Sequence, residues 1–363
     1  MKSAILGLGT AVPEYCYQQD QLSHAVISAL EMNTLRSKWY QKICEHSAIQ
    51  TRYSVIPDLD ETVNTGKFLG SSISTTSPSF SFRNEIFKRE APRLAHKAAS
   101  QAIHDWGGNP GSITHIVSVT CTGVVCPGIE VSLIQSLNLD YSVERVAVNF
   151  MGCFGAFKGL AVAQALANEN PRNRILLVCT ELCSLHLHKT ESRETLIGNA
   201  LFADGAASVI VGAEPKSFEN PVWEIEKRAS HIFPDSQNEM TWETGDTALV
   251  MRLTREVPRM IRDGVREFLA GLLQPDLTFD DCDWALHPGG KSILENIEES
   301  CGIGREQTAA SWEVLSKYGN MSSPTFLFVL DQMRSRSSRK QWTIGAGFGP
   351  GLAMEGVLLR RVG

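Results

Sequence analysis

Cys153 lies where a short β-branched run ends and a long helical pattern begins, in the segment Asn149-Phe-Met-Gly-Cys-Phe-Gly-Ala156. This placement predicts a strand-to-helix turn with the thiol at a helix N-terminus. Unpaired backbone N–H groups and the positive end of the helix dipole favour thiolate over thiol there. The segment therefore predicts a nucleophile, although a cysteine at a helix start is, by itself, more often a small packed residue.

Two further segments place an imidazole and a carboxamide where they could assist such a thiol. His287, in Trp284-Ala-Leu-His287-Pro-Gly-Gly290, is predicted at the carboxyl end of a strand, where α/β sheets place ligands. Asn320, in Tyr318-Gly-Asn320-Met-Ser-Ser323, follows a predicted helix. Taken singly, the first is interpreted as a structural histidine and the second as a helix terminator. Together with the cysteine they suit acyl-thioester chemistry: a thiolate carries the acyl group, an imidazolium lowers the thiol pKa, and two donors hold an enolate oxygen.

The elements that must position these residues alternate between strand and helix. A Ser- and Thr-rich stretch at 70–82 is predicted to be an exposed loop. The pattern relaxes around 213–221, so we predict an N-terminal half over residues 1–220, with the cysteine, and a C-terminal half over 221–363, with the histidine and asparagine. Two alternating halves indicate a duplicated α/β architecture. Strands are predicted at 3–8, 115–120, 174–180, 206–212, 222–225 and 283–286, helices at 20–30, 93–106, 153–168, 256–273, 312–318 and 324–334, and two strands around a glycine turn at 342–360.

The composition agrees with a soluble enzyme and is apolar enough for large buried cores. The chain has 363 residues, of which 43% are hydrophobic, and a formal net charge of −6. This acidic balance argues against nucleic acid as the main partner. No apolar run approaches the ~20 residues that cross a bilayer, so stable membrane insertion is not expected. Nine cysteines without a secretory leader pattern predict free thiols and a cytoplasmic location.

Two other motifs suggest different chemistry. Gly345-Ala-Gly-Phe-Gly-Pro-Gly351 is similar to a dinucleotide fingerprint, but a strand and not a helix is predicted after it, so we interpret it as a tight turn that shapes the site wall. Cys179, Cys183, His186 and His188 have the residue types of zinc ligands, yet their spacing matches no usual finger or ribbon. We therefore expect no metal site and no metal or redox cofactor.

The segments around Cys153, His287 and Asn320, with the glycine-rich stretch, resemble those of type III polyketide synthases of the chalcone synthase kind. The resemblance covers nearly the whole chain and implies a thiolase-like fold with a duplicated, layered αβαβα architecture. It implies an acyltransferase that loads an acyl-CoA starter on Cys153, extends it by iterative decarboxylative condensation with malonyl-CoA, and cyclises the product. His287 and Asn320 would be the catalytic partners of Cys153. CoA thioesters would be substrates, no cofactor would be needed, and a homodimer is expected.

The resemblance also assigns substrate positions. Phe202 matches the phenylalanine that gates the CoA tunnel, and Met251 stands where a second gating phenylalanine is usual. Trp242 is a cavity-wall residue where plant chalcone synthases carry glycine, and Cys126 matches a methionine that reaches across the dimer interface. The predicted substrate-binding set is Phe202, Cys121, Thr122, Cys126, Cys183, His186, Trp242, Met251, Gly290, Ser323 and Phe348.

These cavity positions are more similar to the bacterial branch of the family, whose members make alkylpyrones, alkylresorcinols or tetrahydroxynaphthalene. Two alternatives stay open. A ketoacyl synthase III-like enzyme would perform a single condensation, although its usual Gly-Asn-Thr differs from the Gly-Asn-Met-Ser-Ser found at 319–323. A non-extending protein would keep the fold and only bind acyl-CoA or transfer the acyl group. The sequence does not determine the starter, the number of extensions or the mode of cyclisation.

Overall fold

The computed structural model describes residues 2–57, 59, 68, 77–190, 192–336 and 340–362. These residues form thirteen strands and ten α-helices. The strands are β1 (Ser3–Ala11), β2 (Tyr15–Gln18), β3 (Thr51–Ser54), β4 (His115–Thr120), β5 (Glu144–Asn149), β6 (Arg174–Leu182), β7 (Asp204–Ala213), β8 (Trp223–Ile232), β9 (Met240–Thr244), β10 (Leu249–Leu253), β11 (Cys282–Leu286), β12 (Trp342–Gly349) and β13 (Ala353–Arg361). The helices are α1 (Gln19–Ala29), α2 (Thr34–Glu45), α3 (Phe80–Trp106), α4 (Ile129–Ser136), α5 (Gly155–Glu169), α6 (Arg193–Leu201), α7 (Val257–Ala270), α8 (Lys291–Cys301), α9 (Ala309–Tyr318) and α10 (Thr325–Arg334).

Nine of the described strands form one mixed sheet in the order β11-β12-β13-β8-β1-β7-β6-β4-β5. Its two parts meet at β1 and β8, which pair antiparallel at only two positions, Ala4 with Glu224 and Ile5 with Trp223. The N-terminal part contains β1 and β4–β7, and the C-terminal part contains β8 and β11–β13. Two small hairpins, β2-β3 and β9-β10, lie outside this sheet.

Three apolar cores alternate with the two parts of the sheet. The first packs α1, α3 and α4 against one face of the N-terminal part. The second surrounds α5 and α10, which contact the other face of that part and also residues of β8, β11 and β13. The third packs α7, α8 and α9 against the remaining face of the C-terminal part. The result is the predicted αβαβα layering, with α5 and α10 in the central layer.

Continuous apolar runs explain the strands best predicted from sequence. Every residue of β6 and β7 is buried, as expected for strands covered by helices on both faces. The strands predicted at 174–180 and 206–212 are confirmed inside these longer elements. The β9-β10 hairpin was not predicted. Its strands are only five residues long, and in LVMRL the apolar residues do not alternate with polar ones.

The predicted loop at 70–82 is wrong in its last three residues. Residues 70–76 lie outside the described ranges, and 77–79 have no regular structure. Helix α3 begins at Phe80 because the Ser79 side chain caps it, accepting a hydrogen bond from Phe82 N at 3.2 Å. A serine-rich stretch thus contained a helix start. In the described ranges, every helix is too short or too polar to span a bilayer.

Candidate active site

Cys153 lies in a turn whose preceding position, Gly152, requires glycine. Strand β5 ends at Asn149, residues Gly152–Phe154 form a 3-10 turn, and α5 begins at Gly155. Gly152 has φ +67°, and a Cβ there would lie 2.3 Å from Pro350 Cδ. A Cβ at Gly349 would lie 2.6 Å from Phe154 Cδ1 and 3.4 Å from Cys153 N. The glycine-rich stretch therefore packs against the nucleophile turn, and its Phe348 lines the site. The predicted tight turn is wrong for Gly345–Gly349, which belong to β12; the turn itself begins at Pro350.

His287 directly follows β11, and its backbone N–H donates to Ala346 O at 2.8 Å. The residue is 1% exposed. Neither ring nitrogen meets a hydrogen-bond partner among the described residues. A buried imidazole without a hydrogen-bond partner costs folding free energy, so its presence here requires an explanation. Because both nitrogens are unpaired, they are available to a substrate or to a transferred proton.

Asn320 follows α9 through Gly319, whose φ is +70°. Its side chain is held at both ends: Nδ2 donates to Gly289 O at 3.2 Å, and Oδ1 accepts from Ser322 N at 2.8 Å. Its backbone pairs with the segment after α6, where Asn320 N donates to Leu201 O at 3.0 Å and Ala203 N donates to Asn320 O at 2.9 Å. The carboxamide is thereby fixed before any substrate binds.

Cys153, His287 and Asn320 meet in one cavity of about 410 Å³. We call it the tunnel cavity. Although 134 residues separate the first two in sequence, β5 and β11 deliver both to the same space. Four predicted substrate-binding residues also line this cavity, namely Phe202, Met251, Gly290 and Phe348.

Burial sets the protonation of the resting site. It raises the pKa of Cys153 to about 11, with hydrogen bonds from Ser322 and Asn320 acting in the opposite direction and the charge of Glu181 adding to the rise. It lowers the pKa of His287 to about 3. Both shifts favour the neutral forms because burial disfavours an ion, so burial opposes the predicted thiolate. Cys153 as a residue is half-buried and lines the tunnel cavity, through which an electrophile can reach it.

A second cavity, of about 50 Å³, adjoins the first. We call it the inner cavity, and the predicted wall residues Cys183, His186 and Trp242 line it. Phe202 and Met251 line both cavities, so they form the partition between them. A Cβ at Gly198 would lie 3.7 Å from both Met251 Cε and Phe202 Cδ2, so the two side chains meet over this glycine. Met251 therefore lies beside Phe202 between the two cavities, and its gating role stays a prediction.

Trp242 and His186 fasten the β9-β10 hairpin over the inner cavity. Trp242 Nε1 donates to Cys121 O at 2.7 Å. The rings of Trp242 and His186 contact edge to face, with centroids 5.4 Å apart. His186 Nδ1 accepts from Leu249 N at 3.1 Å, so its Nε2 carries the proton and donates to Thr122 O at 2.8 Å. Burial lowers the pKa of His186 to about 4, which keeps this neutral tautomer.

Two family models match almost the full chain: the N-terminal domain of chalcone and stilbene synthases over residues 1–215 and the C-terminal domain over residues 224–363. The chain belongs to the chalcone and stilbene synthase family. It is 38% identical over 367 aligned positions to "Probable polyketide synthase 1" of Dictyostelium discoideum, which covers 99% of this chain and 11% of that much longer protein. It also matches the crystal structure of the C-terminal type III polyketide synthase domain of Steely1, a type I/III hybrid from Dictyostelium, with a TM-score of 0.94, 37% identity and full coverage of both chains. These findings confirm the predicted fold and support type III polyketide synthase function; a bacterial branch stays a prediction.

Glu181, at the end of β6, is a buried residue that the sequence reasoning missed. It accepts hydrogen bonds from Cys121 N at 2.9 Å, Thr122 Oγ1 at 2.7 Å and Ser323 Oγ at 2.7 Å. Burial raises its pKa, and these donors oppose the rise. In the described part of the chain, the side chains of Cys121, Thr122 and Ser323 surround this carboxyl group and line neither cavity. A signal was present, since Glu181 is an acidic residue in an otherwise apolar run.

The last predicted substrate residue, Cys126, is exposed and precedes the cis-proline Pro127, outside both cavities of its own chain. All nine cysteines are free thiols. Within the described ranges, no group of three or more His, Cys, Asp or Glu side chains is placed to hold a metal ion. Cys179 points from within β6 into the central core, which separates it from Cys183 and His186 in the inner cavity wall.

Proposed function

We propose that this protein is an iterative type III polyketide synthase that loads an acyl-CoA starter on Cys153, extends it with malonyl-CoA and releases a cyclised product. The observation that carries the proposal is the tunnel cavity, where Cys153, His287 and Asn320 converge beside a partitioned inner cavity. The family uses acyl-CoA and malonyl-CoA as substrates. The product is proposed to be an alkylpyrone, an alkylresorcinol or a related phenolic compound.

Loading would begin with neutral groups. Cys153 Sγ attacks the thioester carbonyl as its proton passes to an unpartnered nitrogen of His287. The new C–S bond replaces the bond to CoA, which leaves as a thiolate and takes the proton from His287. A neutral imidazole is the form that can accept the proton, and burial holds His287 in that form. This assigns His287 a general-base role in place of the predicted resting imidazolium.

Extension would use Asn320 and His287 to stabilise the negative charge of an enolate oxygen. When malonyl-CoA loses carbon dioxide, the electrons of the broken C–C bond form an enolate on the thioester oxygen. Asn320 Nδ2 and the protonated ring nitrogen of His287 can donate to that oxygen. The enolate carbon then attacks the acyl group on Cys153, and the thiolate leaves. Since the Asn320 side chain is already held by Gly289 and Ser322, it requires little reorganisation.

Two surface features support the proposed partners. The exposed side chains of Arg193 and Arg255 line the tunnel cavity, where they would attract the phosphates of CoA. Strand β5 is the edge of the nine-stranded sheet. Tyr141 and Phe150, just before and just after β5, and Val124, after the neighbouring β4, are exposed apolar side chains. Proteins cover such edges, and a second copy of this chain would do so in the proposed homodimer.

The test is mass spectrometry of products from purified protein given malonyl-CoA and a panel of acetyl, medium-chain, long-chain and aromatic acyl-CoA starters, with no added cofactor. Cys153→Ala is the control. Tri- or tetraketide pyrones or resorcinols that are absent from the control would support iterative condensation and identify the starter class. Release of a single-extension product would favour the ketoacyl synthase III-like alternative. Accumulation of acyl-Cys153 without carbon dioxide release would refute polyketide synthesis.

A further inference from the structure

Arg52, on β3, is a buried cation that forms no ion pair among the described residues. It is 6% exposed, and burial lowers its pKa. Its Nη1 donates to the carbonyls of Asn199 at 2.8 Å and Phe202 at 2.7 Å, while Nε donates to Gln19 Oε1 at 2.8 Å. The charge of Asp204 opposes the fall in the Arg52 pKa, but the two side chains form no direct ion pair. A guanidinium buried without a directly paired carboxylate is costly, so the position requires an explanation beyond packing.

The partner of this charge is the C-terminus of α6. Arg52 takes two carbonyls there, and Gln19 Nε2 donates to a third, Ala200 O, at 2.8 Å. The last carbonyls of a helix lack helical donors and carry the negative end of the dipole, so a fixed cation stabilises them. Arg52 therefore caps the C-terminus of α6. It does so from β3, 147 residues away from Asn199 in sequence.

The capped segment supports two parts of the site. Phe202 forms the partition between the cavities, and the backbone of residues 201–203 brackets Asn320 through two hydrogen bonds. Arg52 also contacts the turn before Asn320: a Cβ at Gly319 would lie 2.9 Å from Arg52 Cγ. One side chain thus touches both segments that meet at the carboxamide and the partition.

We propose that Arg52 is a positioning residue that fixes Phe202 and Asn320 relative to each other. The inference rests on the proposed function, because it gives Asn320 its role in condensation. The planar fork of arginine is needed, since a lysine ammonium on a flexible stem cannot hold both carbonyls and Gln19 in one geometry. The fork holds the end of α6 and the aliphatic stem contacts the Gly319 turn, so replacing this one side chain predicts a coupled change in rate and in product length.

The experiment compares Arg52→Lys and Arg52→Gln with Arg174→Lys. Arg174 is also a buried arginine, and it pairs with Glu219 and with backbone carbonyls. It lies in neither cavity, whereas Arg52 lines the inner cavity. Rates are expressed per Cys153 that an acyl-CoA can acylate, which removes the effect of unfolded protein. We expect about a 100-fold lower kcat per site for the Arg52 variants, the typical cost of about 1 Å of misplacement, with an altered product-length distribution. Arg174→Lys is expected to keep both.

Amide hydrogen exchange gives a readout that does not depend on turnover. The Arg52 variants should exchange faster in peptides covering 199–203 and 318–322, while Arg174→Lys should leave these peptides at the wild-type rate. If wild-type protein makes no polyketide, the proposed function fails, and this exchange pattern still tests the positioning role. Unchanged exchange in both peptides, or unchanged kcat per site and product length, would overturn it. Should the Arg52 variants not fold, Gln19→Ala is expected to change the same readouts in the same direction by a smaller factor, and unchanged values would count against the proposal.

Discussion

Replacing Trp242 by glycine should lengthen the products. The indole contacts His186 and lines an inner cavity of only about 50 Å³, which Phe202 and Met251 also line. A void on the order of 150 Å³, which the loss of a large side chain can create, holds a molecule of benzene size. Each malonyl extension adds two carbons and one oxygen, so roughly two further extensions could fit in a void of that size. We therefore expect the product distribution of Trp242→Gly to shift upward by about one or two units.

The same change should weaken the β9-β10 hairpin. It removes the 2.7 Å hydrogen bond from Trp242 Nε1 to Cys121 O, worth roughly 0.5–1.5 kcal/mol. It also removes the edge-to-face contact with His186, worth about as much, and places a glycine in a strand. The expected loss of unfolding free energy is about 2–4 kcal/mol, measurable by denaturant titration.

Trp242→Phe separates the two effects. It keeps most of the volume and loses the indole N–H donor, so we expect a hairpin weakened by the lost hydrogen bond but wild-type product length. The assay is mass spectrometry of products for both variants across several starters, normalised to acylated Cys153. Equal lengthening by Trp242→Phe would mean that hairpin opening, and not volume, sets the product length. Unchanged lengths in Trp242→Gly would refute the volume argument.

Three further predictions follow from the site and the core. Because the pKa of Cys153 is raised to about 11, its alkylation by iodoacetamide should accelerate about tenfold per pH unit from pH 7 to 9, and a flat profile would indicate a thiolate at rest. Asn320→Ala should slow malonyl-CoA decarboxylation ~100- to 1,000-fold while acylation of Cys153 persists, as followed by carbon dioxide release and intact-protein mass. Glu219→Gln should cost about 3–5 kcal/mol of unfolding free energy, because it leaves the fully buried Arg174 without its counter-charge; a loss below 1 kcal/mol would show that the pair matters little.

Some of the site could be predicted from sequence because its chemistry is local. The turn before Cys153 needs a glycine at positive φ, the strand before His287 is an apolar run, and Asn320 follows a helix stop. In each segment, the residues that determine the local backbone conformation lie within a few positions of the functional residue. The layered architecture followed similarly from the alternation of apolar runs, since strands buried on both faces must be covered by helices.

Only the tertiary structure determines the long-range hydrogen bonds and the protonation of the buried groups. The hydrogen bond from Trp242 spans 121 residues and that from Arg52 to Asn199 spans 147, so no local pattern reports either one. Glu181 was visible as an acidic residue in an apolar run, but its donors come from separate segments. The burial that opposes the predicted Cys153 thiolate is equally absent from the local sequence. Sequence shows the helix that favours a thiolate, whereas the burial that disfavours it depends on how every neighbouring element packs around the thiol.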